Sequence, residues 1–322
     1  MEQERLQIIN KLPMRLILSI LFFSCFIHIN AFQVEPALEI LKDYDKVRDF
    51  TMNNIETEAY VSAQSNLEEK SVIIRITKEN GTWNKADIAS FSGMYKDLEP
   101  FLSPDNLKLF FVSNRPLTNE DELKDVDIWY VERATTSSDW SEPKNVGAPI
   151  NTEADEFYPS VAKNGNLYFT SIGHGAMGED DIFVSAYKNG TYSKPVALKG
   201  GVNTKSYEYN SFISPNEDYL IFGGYARKDG LGSGDLYISF KNDDSTWTQA
   251  KNMGDIINSK FMDFCPFVTQ SGEHIYFTSR RSNLEASQNM TSVKNLLNTF
   301  NGYENGFSRI YMTSFDLNAF KN

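Results

Sequence analysis

Four acidic residues recur in similar phrases along the chain, each at the start of a short β-strand pattern. They are Asp97, Glu156, Glu208 and Asp263. Carboxylates at the same end of equivalent strands could form an anionic ring that holds a cation or a basic peptide. The structural alternative is that each acid caps backbone amides or pairs with an arginine of a neighbouring unit. Their recurrence favours this alternative, because a group needed for folding recurs in every copy, whereas a group needed for chemistry usually occurs once.

Four basic residues are further binding candidates. Arg115, Arg280 and Arg281 follow predicted strands, where a guanidinium could bind a carboxylate or phosphate unless it pairs with a recurring acid. His174 lies in a glycine-rich loop near Glu179 and Asp180, a setting that allows metal or acid–base chemistry. A solvated loop histidine is the alternative. No second histidine or cysteine at ligand spacing accompanies His174, so we predict neither a metal site nor a catalytic residue.

The segment GHGAMG, residues 173–178, matches the G-x-G-x-x-G pattern of dinucleotide-binding loops. Such a loop must open a helix whose amides meet the phosphates, whereas DIFVS at residues 181–185 has the pattern of a β-strand. No nucleotide or other cofactor is therefore predicted. The three glycines are expected to be turn residues with positive φ between two strands.

All these candidates lie within a repeat that covers most of the chain. Each copy has a β-hairpin, a third strand and, in most copies, a fourth segment that begins with an aromatic residue. The hairpins begin near residues 50, 98, 157, 209 and 264. The third strands begin at Ser71, Asp127, Asp181, Asp235 and Arg309, and the fourth segments at Trp83, Trp140, Tyr192 and Trp247. Four strands in about fifty residues match the size of a propeller blade.

The repeat predicts an all-β fold, a single β-propeller of five four-stranded blades over residues 32–322, with six blades as the alternative count. Five hairpins are followed by only four fourth segments, so one strand must come from elsewhere. FQVEPALEI, from Phe32 to Ile40, has the required aromatic residue, proline and alternation. We predict that it closes the ring and removes two exposed sheet edges. The alternative is a short helix between Pro36 and Arg48.

The hairpin phrases resemble the WD40-like repeats of TolB-type β-propellers. The resemblance rests on the SPD and NG turns, the endings LFFVSNR and IYFTSRR, and the DIF start of a third strand. It covers nearly all of the chain after residue 31. It implies a periplasmic component of an envelope assembly, but a fold and its repeat do not define a biochemical role.

Residues 1–31 are predicted to be a signal peptide. Arg15 precedes the apolar run LILSILFFSCFIHI, which is short for a membrane span, and Ala31 ends a cleavage site. The protein is therefore expected to be exported to the periplasm or cell envelope, with no membrane span after cleavage. A lipoprotein acylated at Cys25 is the alternative. Cleavage leaves Cys265 as the only cysteine, which excludes an internal disulfide and predicts a buried, inert thiol.

A long insertion, residues 282–308, interrupts the last blade. Its apolar residues have helical spacing. They are Met290, Val293, Leu296, Leu297 and Phe300. A helix here could serve as a lid or a partner-docking element, or it could simply pack its apolar side onto blade 5.

Charge and repeat content together limit the function. A formal net charge of −12 and a pI of about 4.8 argue against nucleic acid as a partner, because a duplex binder needs a basic face. We predict a non-catalytic, monomeric scaffold of the cell envelope that engages a protein or cell-wall component through its loop-rich face. The alternative is a periplasmic hydrolase of glycans or peptides with acids at the channel mouth. A carboxylate pair for glycoside cleavage needs a defined separation, which a sequence does not provide.

Overall fold

The computed structural model describes residues 33–118 and 123–321. The predicted signal peptide and Cys25 lie outside these residues. The described chain forms five four-stranded antiparallel sheets that are the blades of one β-propeller, which confirms the predicted fold class.

Each blade is built from strands that are nearly consecutive in sequence, with the first strand next to the central channel. Blade 1 contains Lys46–Met52, Glu58–Gln64, Ser71–Glu79 and Thr82–Ile88. Blade 2 contains Asp97–Leu102, Lys108–Ser113, Asp127–Glu132 and Lys144–Asn145. Blade 3 contains Glu156–Val161, Leu167–Ser171, Asp181–Ser185 and Val196–Ala197, with a small outer hairpin of Tyr187–Lys188 and Thr191–Tyr192. Blade 4 contains Tyr207–Ile213, Tyr219–Tyr225, Asp235–Phe240 and Lys251–Asn252. Blade 5 contains Asp263–Val268, His274–Ser279, Arg309–Ser314 and the N-terminal Glu35–Pro36.

The apolar core lies between neighbouring blades. The middle strands of a blade are near-continuous apolar runs because both of their faces pack against other blades. Leu220, Ile221 and Phe222 of blade 4, for example, are fully buried. The fourth strands lie at the rim, and Thr82–Ile88 has no buried residue. The apolar pattern of each strand therefore reflects its distance from the rim.

The N-terminal strand closes the ring as predicted, although it is shorter than residues 32–40. Glu35 pairs with Met312 and Pro36 with Tyr311 in antiparallel register. The chain then leaves the sheet at Leu38, which has a φ of 62°, and enters a 3₁₀-helix at Glu39–Leu41. The alternative of a helix up to Arg48 holds only for this single turn, because the first strand of blade 1 already begins at residue 46.

The two ends of the central channel differ. The first strand of each blade begins beside the loop that joins its second and third strands, as shown in blade 2 by the pairing of Asp97 with Ser113 and of Ser113 with Asp127. We call this side of the ring the loop face, and the side of the hairpin turns the turn face. Toward the turn face, four aromatic rings fill the channel at centroid distances of 5.6 to 6.3 Å. They are Phe50, Phe101, Phe212 and Phe267.

The insertion of blade 5 contains one α-helix, Val293–Asn301, whose N-cap Ser292 accepts a hydrogen bond from the amide of Asn295. Val293, Leu297 and Phe300 are 74%, 50% and 48% exposed. The apolar side of the helix is therefore not buried on blade 5. Each helix in the described part of the chain is too short or too polar to cross a membrane.

Candidate active site

The first strand of every blade contains a β-bulge at an equivalent position, where its register with the second strand shifts. The first residue of each bulge has a φ between 50° and 61°. These residues are Asp49, Glu99, Tyr158, Asn210 and Cys265. Glycine is usual at such a position, because a left-handed conformation costs free energy for a residue with a Cβ. The backbone conformation thus recurs in all five blades, while the side chain is different in each.

The five bulge residues surround one cavity of about 40 Å³ in the central channel. The bulge is followed by proline in three blades, at Pro100, Pro159 and Pro266, and these prolines also line the cavity. Asp49, Glu99 and Cys265 are at most 6% exposed. The channel therefore collects five chemically different side chains around one small cavity.

Arg48 places a guanidinium between these side chains. Its Nε donates to Asp49 Oδ1 at 2.9 Å, and its Nη2 donates to the Tyr158 hydroxyl at 2.8 Å and lies 3.4 Å from Glu99 Oε1. The residue before the bulge is apolar or aromatic in the other four blades. It is Leu98, Phe157, Tyr209 and Phe264 there. Arg48 is therefore the only cation at this position, and it contacts both carboxyl groups.

The thiol of Cys265 links two further bulge residues. It donates to Asp49 Oδ1 and accepts from Asn210 Nδ2 at 3.2 Å. Asp49 Oδ2, Asn210 Oδ1 and Ser211 Oγ are buried without a partner among the described residues, and all three residues line the cavity. Buried polar atoms normally have a hydrogen-bond partner, so these three are available to a ligand or a water molecule.

The environment separates the two carboxyl groups chemically. Burial raises the pKa of Glu99 to about 8, and the negative charge of Asp49 acts in the same direction, against the effect of Arg48. Glu99 therefore carries its proton at neutral pH. Asp49 makes the shorter contact with the guanidinium, a contact that stabilises a carboxylate anion. Burial also raises the pKa of Tyr158 and of Cys265 well above their usual values, so both are neutral.

The four recurring acids lie on the loop face but do not line this cavity. Asp97 accepts hydrogen bonds from Ser113 Oγ and Arg115 Nη2, at 2.7 and 2.6 Å. Glu208 accepts from the amide and the hydroxyl of Thr204, both at 2.7 Å. Glu156 and Asp263 make the same contacts with Thr152 and Ser259. All four acids are fully buried, and they cap the chain segment that enters their blade. A ligand-binding role for them stays a prediction.

The arginines that follow the second strands fall into two groups. Arg115, Arg227 and Arg281 each contact the acid of their own blade within 3.1 Å. Arg280 differs, because its Nε donates to Ser308 Oγ at 3.2 Å and its nearest carboxylate, Glu68, is 3.9 Å away. Among the arginines predicted to bind a ligand, Arg115 is therefore occupied by an acid, whereas Arg280 remains accessible on the loop face.

His174 takes the place of an arginine in blade 3. Its Nε2 contacts the carbonyl of Ile150 at 3.0 Å and lies 3.5 Å from Glu156 Oε1. Arg115, Arg227 and Arg281 contact the equivalent carbonyls in their own blades. Burial lowers the pKa of His174 and raises that of Glu156 to about 7, so both shifts favour the neutral forms of the two groups. His174 thus belongs to the repeat, although the sequence shows it as a single residue.

The sequence did contain a signal for the channel residues. Glu99, Tyr158, Asn210 and Cys265 each stand two positions after a recurring acid, in DLEP, EFYP, EYNS and DFCP. The residue type at this position differs in every copy, although the position lies between others whose residue types recur. A position that keeps its backbone conformation but changes its side chain in every copy is where a repeat protein can place a unique site. In the described chain, no group of three or more His, Cys, Asp or Glu side chains is arranged to hold a metal ion.

No family model and no curated protein matches this sequence. Solved structures share the fold. The catalytic domain of a GH62 α-L-arabinofuranosidase from Coprinopsis cinerea aligns with a TM-score of 0.50 and 8% identity over 88% of this chain and 97% of that chain. A GH43 endo-arabinanase from Bacillus licheniformis aligns with a TM-score of 0.50 and 10% identity over 84% and 94%. A further glycoside hydrolase reaches a TM-score of 0.55 at 8% identity over 94% and 96%. Identities this low show a shared fold alone.

These comparisons contradict the prediction of a non-catalytic binding scaffold. The three solved structures named above are glycoside hydrolases rather than TolB-type repeat proteins. The scaffold prediction was wrong because it assumed that a chain made of repeats leaves no room for a catalytic group. The repeat itself supplies five variable positions, and two of them carry carboxyl groups in the channel.

Proposed function

We propose that this protein is a glycoside hydrolase in which Glu99 is the general acid and Asp49 is the base or nucleophile. One observation carries the proposal: two carboxyl groups in different environments, Asp49 and Glu99, face the same channel and contact the same guanidinium, and burial raises the pKa of Glu99. Glycoside cleavage needs one carboxylic acid to protonate the leaving oxygen and one carboxylate to act on water or on the sugar. The raised pKa of Glu99 suits the acid role, and the shorter contact of Asp49 with Arg48 suits the role of the second carboxyl group.

The size of the cavity limits where the sugar can lie. A volume of about 40 Å³ holds a water molecule but not a sugar ring. In the proposed complex the ring therefore lies at the loop-face end of the channel, because four phenylalanines fill the other end. Arg48 lies between the two carboxyl groups in this structure, so its side chain has to rotate when the substrate binds.

The substrate class follows from the fold and from the expected location. The similar structures include an arabinofuranosidase and an endo-arabinanase, which supports a plant or microbial cell-wall glycan as the substrate here. Export through the predicted signal peptide at residues 1–31 is part of the proposal, since such polymers lie outside the cytoplasm. The cell-wall component predicted as a partner thus becomes the substrate.

The test is hydrolysis of a panel of cell-wall polysaccharides, including arabinan and arabinoxylan, measured as release of reducing sugar. The wild-type protein is compared with Asp49→Asn and Glu99→Gln, and with Glu69→Gln, which removes an exposed acid from the loop face. Wild type and Glu69→Gln should cleave the same glycan, while each channel variant should lose about 10²-fold or more of the rate. Equal rates for folded channel variants and wild type would refute these roles.

A further inference from the structure

Arg280 is distinguished from the other loop-face arginines by its exposure. Its side chain is 41% exposed, against 9%, 7% and 14% for Arg115, Arg227 and Arg281, which are each held by a blade acid. Among the described residues, Glu68 is the only carboxylate within 4 Å of Arg280, and it makes a shorter contact with Lys46, at 2.8 Å. The guanidinium of Arg280 therefore keeps hydrogen-bond donors that the described residues do not use.

Arg280 is also connected to the channel. Its guanidinium lies over the ring of Phe264 at 5.6 Å, and the guanidinium of Arg48 lies over the same ring at 5.1 Å. Arg48 in turn contacts Asp49 and Glu99. The buried ring of Phe264 thus separates Arg280 from the channel groups, a distance that a short oligosaccharide spans.

Arg280 is an exposed cation on a protein whose formal net charge is −12. Its neighbour Lys46 pairs with Glu68 at 2.8 Å and also lies near Glu69 of the same loop. A planar guanidinium binds a carboxylate through two parallel N–H donors, and a neutral sugar hydroxyl uses only part of this capacity.

We infer that the channel mouth recognises a glycan that carries carboxylate groups, a uronic acid polymer, and that Arg280 binds the uronate of the residue next to the cleaved bond. This inference rests on the proposed function, because it names the substrate class of the same site. Arg280 contacts the ligand but not the cleaved bond, and it is therefore a specificity-determining residue.

The test compares binding of acidic and neutral trisaccharides to the intact protein by titration calorimetry at low and moderate salt. The probes are trigalacturonate and a glucuronate trimer, each beside its uncharged hexose counterpart. Wild type should bind one acidic trimer at least roughly tenfold more tightly than its neutral counterpart, the ratio expected for a charged hydrogen bond. Arg280→Gln should abolish the preference, and Arg280→Lys should restore part of it. Lys228→Gln, which removes an exposed charge elsewhere on the loop face, should leave it unchanged.

Several results would overturn the inference. The comparison of acidic and neutral trimers on wild type tests it even if an Arg280 variant fails to fold. Equal affinity for acidic and neutral trimers refutes it, as does an unchanged preference in folded Arg280→Gln, or no binding to either type. Hydrolysis is measured in parallel with the same probes and the neutral polysaccharides. Cleavage of neutral glycans without a preference for acidic trimers contradicts the inference but leaves the proposed function in place. Selective binding of an acidic trimer without any cleavage contradicts the proposed function but not the binding preference.

Discussion

Asp49 and Glu99 occupy the same position of neighbouring blades, yet their contacts differ, because Asp49 lies closer to the guanidinium of Arg48. Both have a left-handed backbone conformation, which costs about 1 kcal/mol or more for a residue with a side chain. The surrounding strands hold this backbone conformation in all five blades. The conformation directs each bulge side chain into the channel. Strain at a position that is free to vary is typical of a site that selection has adapted to function.

The proton on Glu99 predicts how activity depends on pH. A general acid works only when protonated, so kcat/KM should be full below the pKa of about 8 and fall as pH rises through it. Glu99→Gln should lose this basic limb. The same variant should lose much less activity on an aryl glycoside whose phenol leaves without protonation than on a natural glycan. A basic limb that persists in Glu99→Gln would show that another group titrates.

The thiol of Cys265 should be unreactive in the folded protein. Burial, reinforced by the charge of Asp49, raises its pKa well above the usual value, so that very little thiolate exists at pH 8. A thiol reagent such as dithionitrobenzoate should label the native protein at least 10²-fold more slowly than the protein in denaturant. Labelling at similar rates in both states would mean that the channel opens readily to solvent.

At the scale of strands and loops, the recurring acids have the contacts of structural groups. Glu208 is fully buried and holds both Thr204 and Arg227. Glu208→Gln leaves the buried Arg227 without its counter-ion and should lower the free energy of unfolding by about 3 kcal/mol. Urea denaturation measures this change, with the exposed Glu153→Gln as a control expected to stay within about 0.5 kcal/mol. If Glu208→Gln is as stable as wild type but loses ligand binding, the predicted binding role of Glu208 is supported instead.

The sequence predicts some elements closely because their pattern is regular. The third strands begin at Ser71, Asp127, Asp181, Asp235 and Arg309, as expected from the repeat. Their apolar runs are long enough to recognise, and packing on both faces demands them. The two-residue fourth strands, by contrast, are much shorter than the aromatic-led segments that predict them, because only the part next to the third strand can pair.

Other features could not be predicted because they depend on one residue or on distant contacts. GHGAMG lies in a link between two strands, as expected, but only Gly175 of its three glycines has a positive φ. Gly178 is required for space, since a Cβ there would lie 2.4 Å from the carbonyl oxygen of Ser206 in the link to the next blade. The channel cluster is similar, because Arg48 and Cys265 are 217 residues apart in sequence and only the closed ring brings them together.

At the scale of the whole molecule, ring closure holds the first and last blades together. Glu35–Pro36 covers the outer edge of Arg309–Ser314, which would otherwise expose unpaired backbone groups. A variant that starts at Ala37 should melt about 5 °C lower than one that starts at Val34 and keeps the strand. It should also associate at high concentration. Light scattering after size exclusion measures this association, and identical melting temperatures and masses for the two variants would show that the short strand is dispensable.

The two sides of the channel are lined differently. Aromatic rings pack on the turn-face side, and the bulges place polar side chains nearer the loop face. Phe212 contacts Phe101 and Phe267 across the channel, so rings from blades 2, 4 and 5 meet on the turn-face side. The polar groups lie above these rings, toward the loop face. These rings close the turn-face side of the channel, and burial beside them raises the pKa of Glu99.

The proposed roles of Asp49 and Glu99 are tested most directly by the rate of glycosidic cleavage by the double variant Asp49→Asn/Glu99→Gln relative to wild type. It is measured on the glycan that the wild type cleaves fastest, after both proteins are shown to have the same melting temperature. We expect the cleavage rate of the double variant to fall to the uncatalysed background, a loss of at least about 10²-fold. A folded double variant that cleaves at the wild-type rate, or a wild-type protein that cleaves no glycan in the panel, would contradict it.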